Sequence, residues 1–233
     1  MPLKRLVVLA LAGLLALPAA AQDRGAGQAA VYDPQPPAGS AFVRFVNALG
    51  TEVALRPDFL PTQRLGTAPD QRVTAYAVVE RVAGRVLTLE AGARQQAGRV
   101  TLRAEPGSFV TIILHAAADG AVTGSPVVDQ TEFNRARARL SFYNAAPGCA
   151  AASLGLEPDG PTVFNQVAPA TAKSRSVNPV VARLRAECDG QPAPSFALEG
   201  LEAGGMYSIW LMRPTGTPPI AFVSRDTTAR WTP

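Results

Sequence analysis

Histidine, cysteine and lysine are nearly missing from this sequence of 233 residues. It holds one histidine, His115, two cysteines, Cys149 and Cys188, and two lysines, Lys4 and Lys173. Two cysteines and one distant histidine fall short of the ligand set that a zinc site needs. A triad needs a nucleophile, a base and a group that orients the base. The sequence has no G-x-S-x-G elbow and lacks the G-D-S and D-x-x-H blocks of SGNH-type hydrolases. It also has no P-loop, no G-x-G-x-x-G after a strand, no H-E-x-x-H and no Asp-rich calcium loop. Paired carboxylates at Glu199 and Glu202, or Glu187 and Asp189, lie beside turn residues and read as solvated loop charge. The expectation is no catalytic residue, no metal site and no cofactor. His115, at the end of the apolar run 109–114, reads as a structural histidine, with an unrecognised enzyme site around it as an alternative.

Apolar runs long enough to span a bilayer are missing too. The longest, 6–17, follows Lys4 and Arg5 and precedes Pro18 and the small residues Ala19, Ala20 and Ala21, which is the pattern of a secretory signal peptide over 1–21. Export to the periplasm is the expectation. Without Lys4 and Arg5 the 22 basic residues fall to 20 against 18 acidic ones, a net of +2. The arginines are spread along the chain with no basic patch, so nucleic acid is not an expected partner. In an oxidising compartment the even pair Cys149 and Cys188 predicts a disulfide.

Residues 22–39 are rich in Gly, Ala, Gln and Pro and predict a flexible leader. Beyond them lie short β-type runs separated by Gly, Pro, Asn and Asp, the signature of a sandwich. Alternation is plain in 99–104, in 180–186 and in Arg135, Arg137 and Arg139 set against Ala136, Ala138 and Leu140. Only 75–83 admits a helical reading. The most informative feature is a repeat. Phe42-Val43-Arg44-Phe45-Val46-Asn47-Ala48 aligns with Arg139-Leu140-Ser141-Phe142-Tyr143-Asn144-Ala145, and the same offset of 97 sets Gly107–Leu114 opposite Gly204–Leu211. The predicted fold is all-β, with two tandem Ig-like β-sandwich domains over 40–128 and 136–233 and a short polar boundary near 129–135.

Arg44, Arg99, Arg103, Arg137, Arg139, Arg183 and Arg185 fall at polar-face positions of predicted strands. On adjacent strands they would form a guanidinium surface suited to carboxylates, so a polyuronate polysaccharide is a candidate partner. The alternative is that they are the wet faces of sheets.

The segment Tyr32-Asp33-Pro34-Gln35-Pro36-Pro37-Ala38-Gly39-Ser40-Ala41-Phe42-Val43-Arg44-Phe45-Val46-Asn47-Ala48 resembles the start of the mature AlgF family, accessory proteins of alginate O-acetylation. The matching positions are Tyr32, Pro34, Pro37, Gly39, Ser40, Val43, Arg44 and Asn47. A second block, Ser174-Arg175-Ser176-Val177-Asn178-Pro179-Val180, resembles the family's Asn-Pro turn before a strand. The resemblance implies a non-catalytic accessory role in acetylating an exopolysaccharide, with a membrane acyltransferase and periplasmic acetyltransferase-type proteins as partners. Carried onto this chain, the partner-binding residues are Tyr32, Pro34, Gly39, Ser40, Arg44, Asn47, Arg175, Asn178 and Pro179. A generic envelope or secreted Ig-like binding module is the competing expectation.

Overall fold

The computed structural model describes residues 36–94, 96–132 and 134–232. The predicted signal peptide, most of the predicted leader, Tyr32 and Pro34 lie outside them. The strands in chain order are β1 Ala41–Asn47, β2 Val53–Pro57, β3 Gln63–Leu65, β4 Ala77–Val79, β5 Leu87–Ala93, β6 Gln96–Leu102, β7 Phe109–Ala116, β8 Val122–Val128, β9 Ala138–Asn144, β10 Ala152–Leu156, β11 Thr162–Val167, β12 Thr171–Val177, β13 Ala182–Cys188, β14 Gln191–Pro192, β15 Phe196–Leu198, β16 Met206–Met212 and β17 Ile220–Arg225. A single 3-10 turn, Pro69–Gln71, is the one helical element among the described residues. No helix there is long and apolar enough to cross a membrane. The segment 75–83, which admitted a helical reading, holds β4 instead, because it is pulled into the sheet beside β1.

Four sheets form, two in each half of the chain. In the first half the order β4-β1-β7-β8 faces the order β3-β2-β5-β6 across a core of Val43, Phe45, Leu55, Leu89 and Ile112. In the second, β12-β9-β16-β17 faces β11-β10-β13-β14, with β15 beside β13, across Leu140, Phe142, Leu154, Leu184 and Ile209. Strand alternation explains both cores, since Val100 and Leu102 of β6 are buried while Arg99 and Thr101 are exposed.

The first-named sheet of each half also buries its other face. Val46, Ile113 and Val127 meet Tyr143, Trp210, Met212 and Phe222 in a third apolar cluster, so β1, β7, β9 and β16 are covered on both sides. β1, β7 and β16 accordingly read as nearly continuous apolar runs, whereas β9 sets Ala138, Leu140 and Phe142 against Arg139, Ser141 and Tyr143. The chain's end ties back to the first half, where Ala229 N donates to Tyr76 O at 2.7 Å and Trp231 Nε1 to Glu80 Oε1 at 2.9 Å.

The offset of 97 holds in the ladders. β1 pairs parallel with β7, Phe42 opposite Phe109 and Asn47 opposite Leu114. β9 pairs parallel with β16, Arg139 opposite Met206 and Asn144 opposite Leu211. The two asparagines act alike at the ends of their strands. Asn47 Nδ2 donates to the carbonyls of Thr51, Leu65 and Gly66 while its Oδ1 accepts from Leu49 N. Asn144 Nδ2 donates to Cys149 O and Val167 O while its Oδ1 accepts from Ala146 N. Each side chain closes the loop that carries the chain from one sheet to its facing sheet.

Cys149 and Cys188 are joined in a disulfide with Cα atoms 5.4 Å apart, both sulfurs inside the second core. Asp189 beside them accepts from Ala150 N and Ala151 N, so its carboxylate is a loop cap.

Candidate functional site

Where the two buried sheets face each other, the apolar cluster is interrupted by a polar hub centred on Arg44. The alternation of β1 sends Val43 and Phe45 into the first core and Phe42, Arg44 and Val46 toward the second half. Arg44 was expected on a wet face. It is 1% exposed, because that face is covered by β9 and β16.

Its guanidinium is nearly saturated. Nε donates to Thr111 Oγ1 at 2.8 Å, Nη1 to Asp226 Oδ1 at 2.6 Å, and Nη2 to both Tyr143 Oη and Ser208 Oγ at 3.0 Å. The plane lies 4.3 Å from the ring centre of Tyr76 and 5.0 Å from that of Trp210, which stacks on Tyr143. Asp129 completes the hub by accepting from Tyr143 at 2.6 Å, Thr111 at 2.7 Å and Tyr76 at 2.8 Å. Two pairs in the hub are related by the repeat offset, Thr111 with Ser208 and Asp129 with Asp226.

Burial works against the charge of Arg44, yet Asp226 above all, with Tyr143, Tyr76 and Asp129, more than offsets it and leaves the guanidinium above its ordinary pKa. Burial also raises the phenols of Tyr76 and Tyr143, which stay neutral donors. The Asp129 carboxyl is pushed up by burial, against Arg44 and the hydrogen bonds it receives. A crevice beside the hub, lined in part by Arg139 and Met206, has a volume of about 10 Å³. That is room for one water at most. The hub is a fastener between the sheets, and its groups face each other, not a ligand.

The first resemblance block therefore supplies framework. Ser40 is buried, and its carbonyl accepts from Gly107 N at 2.7 Å. Gly39 sits at φ +87, a conformation that favours glycine, and accepts from Val82 N through its carbonyl. Arg44 and Asn47 are buried. The side chains of Ser40, Arg44 and Asn47 offer no free surface for a partner, and Gly39 has none to offer. The second block differs: Arg175, Asn178 and Pro179 are exposed, followed by Val180 at 49% and Val181 at 73% exposure.

The arginine face is not assembled. Arg139, like Arg44, is buried, donating to Glu132 O and Gln130 Oε1. Of the exposed arginines, Arg99 holds Glu90 at 3.1 Å, Arg183 and Arg185 share Glu157, and Arg103 donates to Gly84 O, while Arg137 is exposed just before β9. The outer face of the β3-β2-β5-β6 sheet carries an open groove of about 660 Å³, floored by Ala54, Gly92 and Ala97, with Arg56 at its side. His115 reaches Ser125 across the β7–β8 ladder, Nε2 to Oγ at 2.9 Å, while Nδ1 lies 3.1 Å from Ala116 O.

Tyr76, Thr111, Asp129, Tyr143, Ser208 and Asp226 were not singled out from the sequence. Extending the offset of 97 to polar residues would have found the pairs Thr111 with Ser208 and Asp129 with Asp226.

The molecule is thus an all-β protein of stacked sandwich sheets. No family model matches the chain, and no curated protein does. Among solved structures it is similar to CBMbc, a family CBM26 carbohydrate-binding module from Eubacterium rectale Amy13K solved with maltoheptaose. The TM-score is 0.26 at 11% identity, over 83% of this chain and all of that one. At that score the likeness says nothing about a ligand.

Proposed function

We propose that this chain is a non-catalytic periplasmic accessory protein for O-acetylation of an exopolysaccharide, docking on an acetyltransferase-type protein through the exposed edge 175–181. The observation that carries this reading is the adjacent pair Val180 and Val181, about half and three-quarters exposed, in the loop that follows Asn178 and Pro179. They continue the one resemblance block whose side chains are available. β12 is an edge strand of its sheet, so the segment stands at a margin that another protein can approach. Apolar side chains held at a surface suit an apolar patch on a partner. This reading assigns no binding face to the polymer, because Arg44 and Arg139 are buried while Arg99 and Arg185 are held by carboxylates.

Co-purification of the tagged chain from the periplasm with neighbouring acetylation proteins tests the reading. Replacing Val180 and Val181 together by Ser is expected to lower recovery of the partner about tenfold. Stability should change by under about 0.5 kcal/mol, as at other surface positions. Deleting the gene should lower polymer acetylation and leave polymer yield intact. Capture of no acetylation protein, with unchanged acetylation in the deletion strain, would leave the generic envelope module as the better account.

A further inference from the structure

We propose that Ser125 is an acyl acceptor, its hydroxyl activated by His115 and opening on a small apolar cavity where an acetyl group fits. Three independent observations meet there.

The first is the hydrogen-bond chain. Ser125 lies opposite Ile113 in the β7–β8 ladder, and His115 lies two residues further along β7, so both side chains emerge on the same face. His115 Nε2 is 2.9 Å from Ser125 Oγ and Nδ1 is 3.1 Å from Ala116 O. A carbonyl oxygen only accepts, so the ring proton belongs on Nδ1 and the Nε2 lone pair faces the serine hydroxyl. This tautomer is the one that a general base needs, with a backbone carbonyl as orienter.

The second is the cavity. Ile113, Ala145, Pro147, Pro169 and Ala170 close about 110 Å³ over the pair. That is roughly the share of three or four waters, enough for an acetyl carbonyl and methyl. Most of its lining lacks side-chain polar groups, which suits a methyl. The third is backbone strain at the wall. Ala170 sits at φ +51, a left-handed conformation that disfavours a non-glycine residue, held by its N–H bond to Asn144 O. Such residues persist where the surrounding structure over-determines them, and they gather at working sites.

The step balances with an activated acetyl ester or thioester as donor. Ser125 Oγ forms a bond to the acyl carbon and its proton passes to His115 Nε2. The carbon–heteroatom bond to the leaving group then breaks, and that group departs with the proton from Nε2. The products are O-acetyl-Ser125 and the free alcohol or thiol. The choice of acetyl rests on the function proposed above; the Ser125–His115 pair and its cavity do not.

The test uses the isolated, disulfide-intact chain with p-nitrophenyl acetate. One acetyl group located on the Ser125 peptide by mass spectrometry is expected, absent in Ser125→Ala. His115→Gln, which keeps the volume, should slow labelling of that peptide by about 100-fold. An alkyl fluorophosphonate gives a second readout that does not depend on slow hydrolysis of the ester, and circular dichroism confirms that each variant stays folded. Acetyl found on Lys173 or the amino terminus with Ser125 unlabelled by either reagent overturns the proposal, as does equal labelling in His115→Gln. Neither result touches the docking edge, which co-purification reads separately. Failure of co-purification likewise leaves the acyl measurement as it stands.

Discussion

Arg44 in the first half stands where Ser141 stands in the second, and the partners across the ladder differ to match. Arg44 carries its guanidinium 4.3 Å from the ring of Tyr76. Ser141 makes a 2.9 Å hydrogen bond to Ser174, its neighbour in the β9–β12 ladder. The reverse asymmetry holds in the aromatics. Val46 and Ile113 of the first half correspond to Tyr143 and Trp210 of the second, which supply the stacked pair near the guanidinium. The first half brings the cation and one ring over it, Tyr76, the second brings the other two rings, and both bring a hydroxyl and a carboxylate. The two halves share their strand ladders but differ at the face between them, where they are complementary instead of alike.

The largest expected effect comes from erasing this difference. Arg44→Ser copies the second half's residue into the first and strips Asp226 of its cation. Removing one partner of a buried ion pair costs about 3–5 kcal/mol. Arg44→Ser should therefore lower the unfolding free energy by about that much in a denaturant titration, with Asp226→Ala close behind. A change under 1 kcal/mol would mean that the hub is not the fastener between the sheets.

The asparagines sharpen the comparison from the side where the halves agree. Asn47 satisfies three carbonyls and Asn144 two, both fully buried. Alanine at either position orphans those groups, each worth about 1–3 kcal/mol if left dry. Both variants should lose about 2–3 kcal/mol, Asn47→Ala the more. A marked loss at one position only would show that the ladders are equivalent but the loop closures are not.

Much of this was legible in sequence. The repeat offset, read from seven aligned residues, carries through the pairing of β1 with β7 and of β9 with β16. The Cys149–Cys188 bridge followed from an even pair of cysteines in a chain expected to be exported. Arg44 and Arg139 were misread for one physical reason. Alternation along a strand tells which residues share a face but not whether a second sheet covers that face. The uncharged residues flanking Arg44 carried the missing hint, since Val43, Phe45 and Val46 make β1 too apolar for a half-wet strand. Thr111 with Ser208 and Asp129 with Asp226 stayed unseen because they gain meaning only when a third dimension brings β7, β16 and the ends of β8 and β17 together. The segment 174–180 was visible as a motif, but Val180 and Val181 were read as strand residues, whereas β13 begins only at Ala182.

Asp129 and Asp226 give the smallest and most discriminating contrast, because they are repeat-related carboxylates with different surroundings. Asp226 faces the guanidinium directly at 2.6 Å, whereas Asp129 is met by three hydroxyls and is pushed above the ordinary carboxylate range by burial. The native state therefore holds a proton on Asp129 more tightly than the unfolded chain does. The stability linked to that proton is complete below the unfolded value near 3.9 and is lost as pH rises through the higher native one. Asp129→Asn removes the titration and keeps an oxygen for Tyr143, so its stability relative to the parent should improve as pH rises from about 4 and then level off. At pH 7 the variant should lie about 1–2 kcal/mol below the parent, since the amide nitrogen in place of Oδ2 cannot accept from Thr111 and Tyr76. Asp226→Asn should instead fall well below the parent at pH 7, because it removes the charge that holds Arg44. Denaturant titrations of both variants between pH 4 and 8 read the contrast. An Asp129→Asn protein that loses ground as pH rises would show that Asp129 serves Arg44 as an ion-pair partner, and that the two carboxylates had not diverged at all.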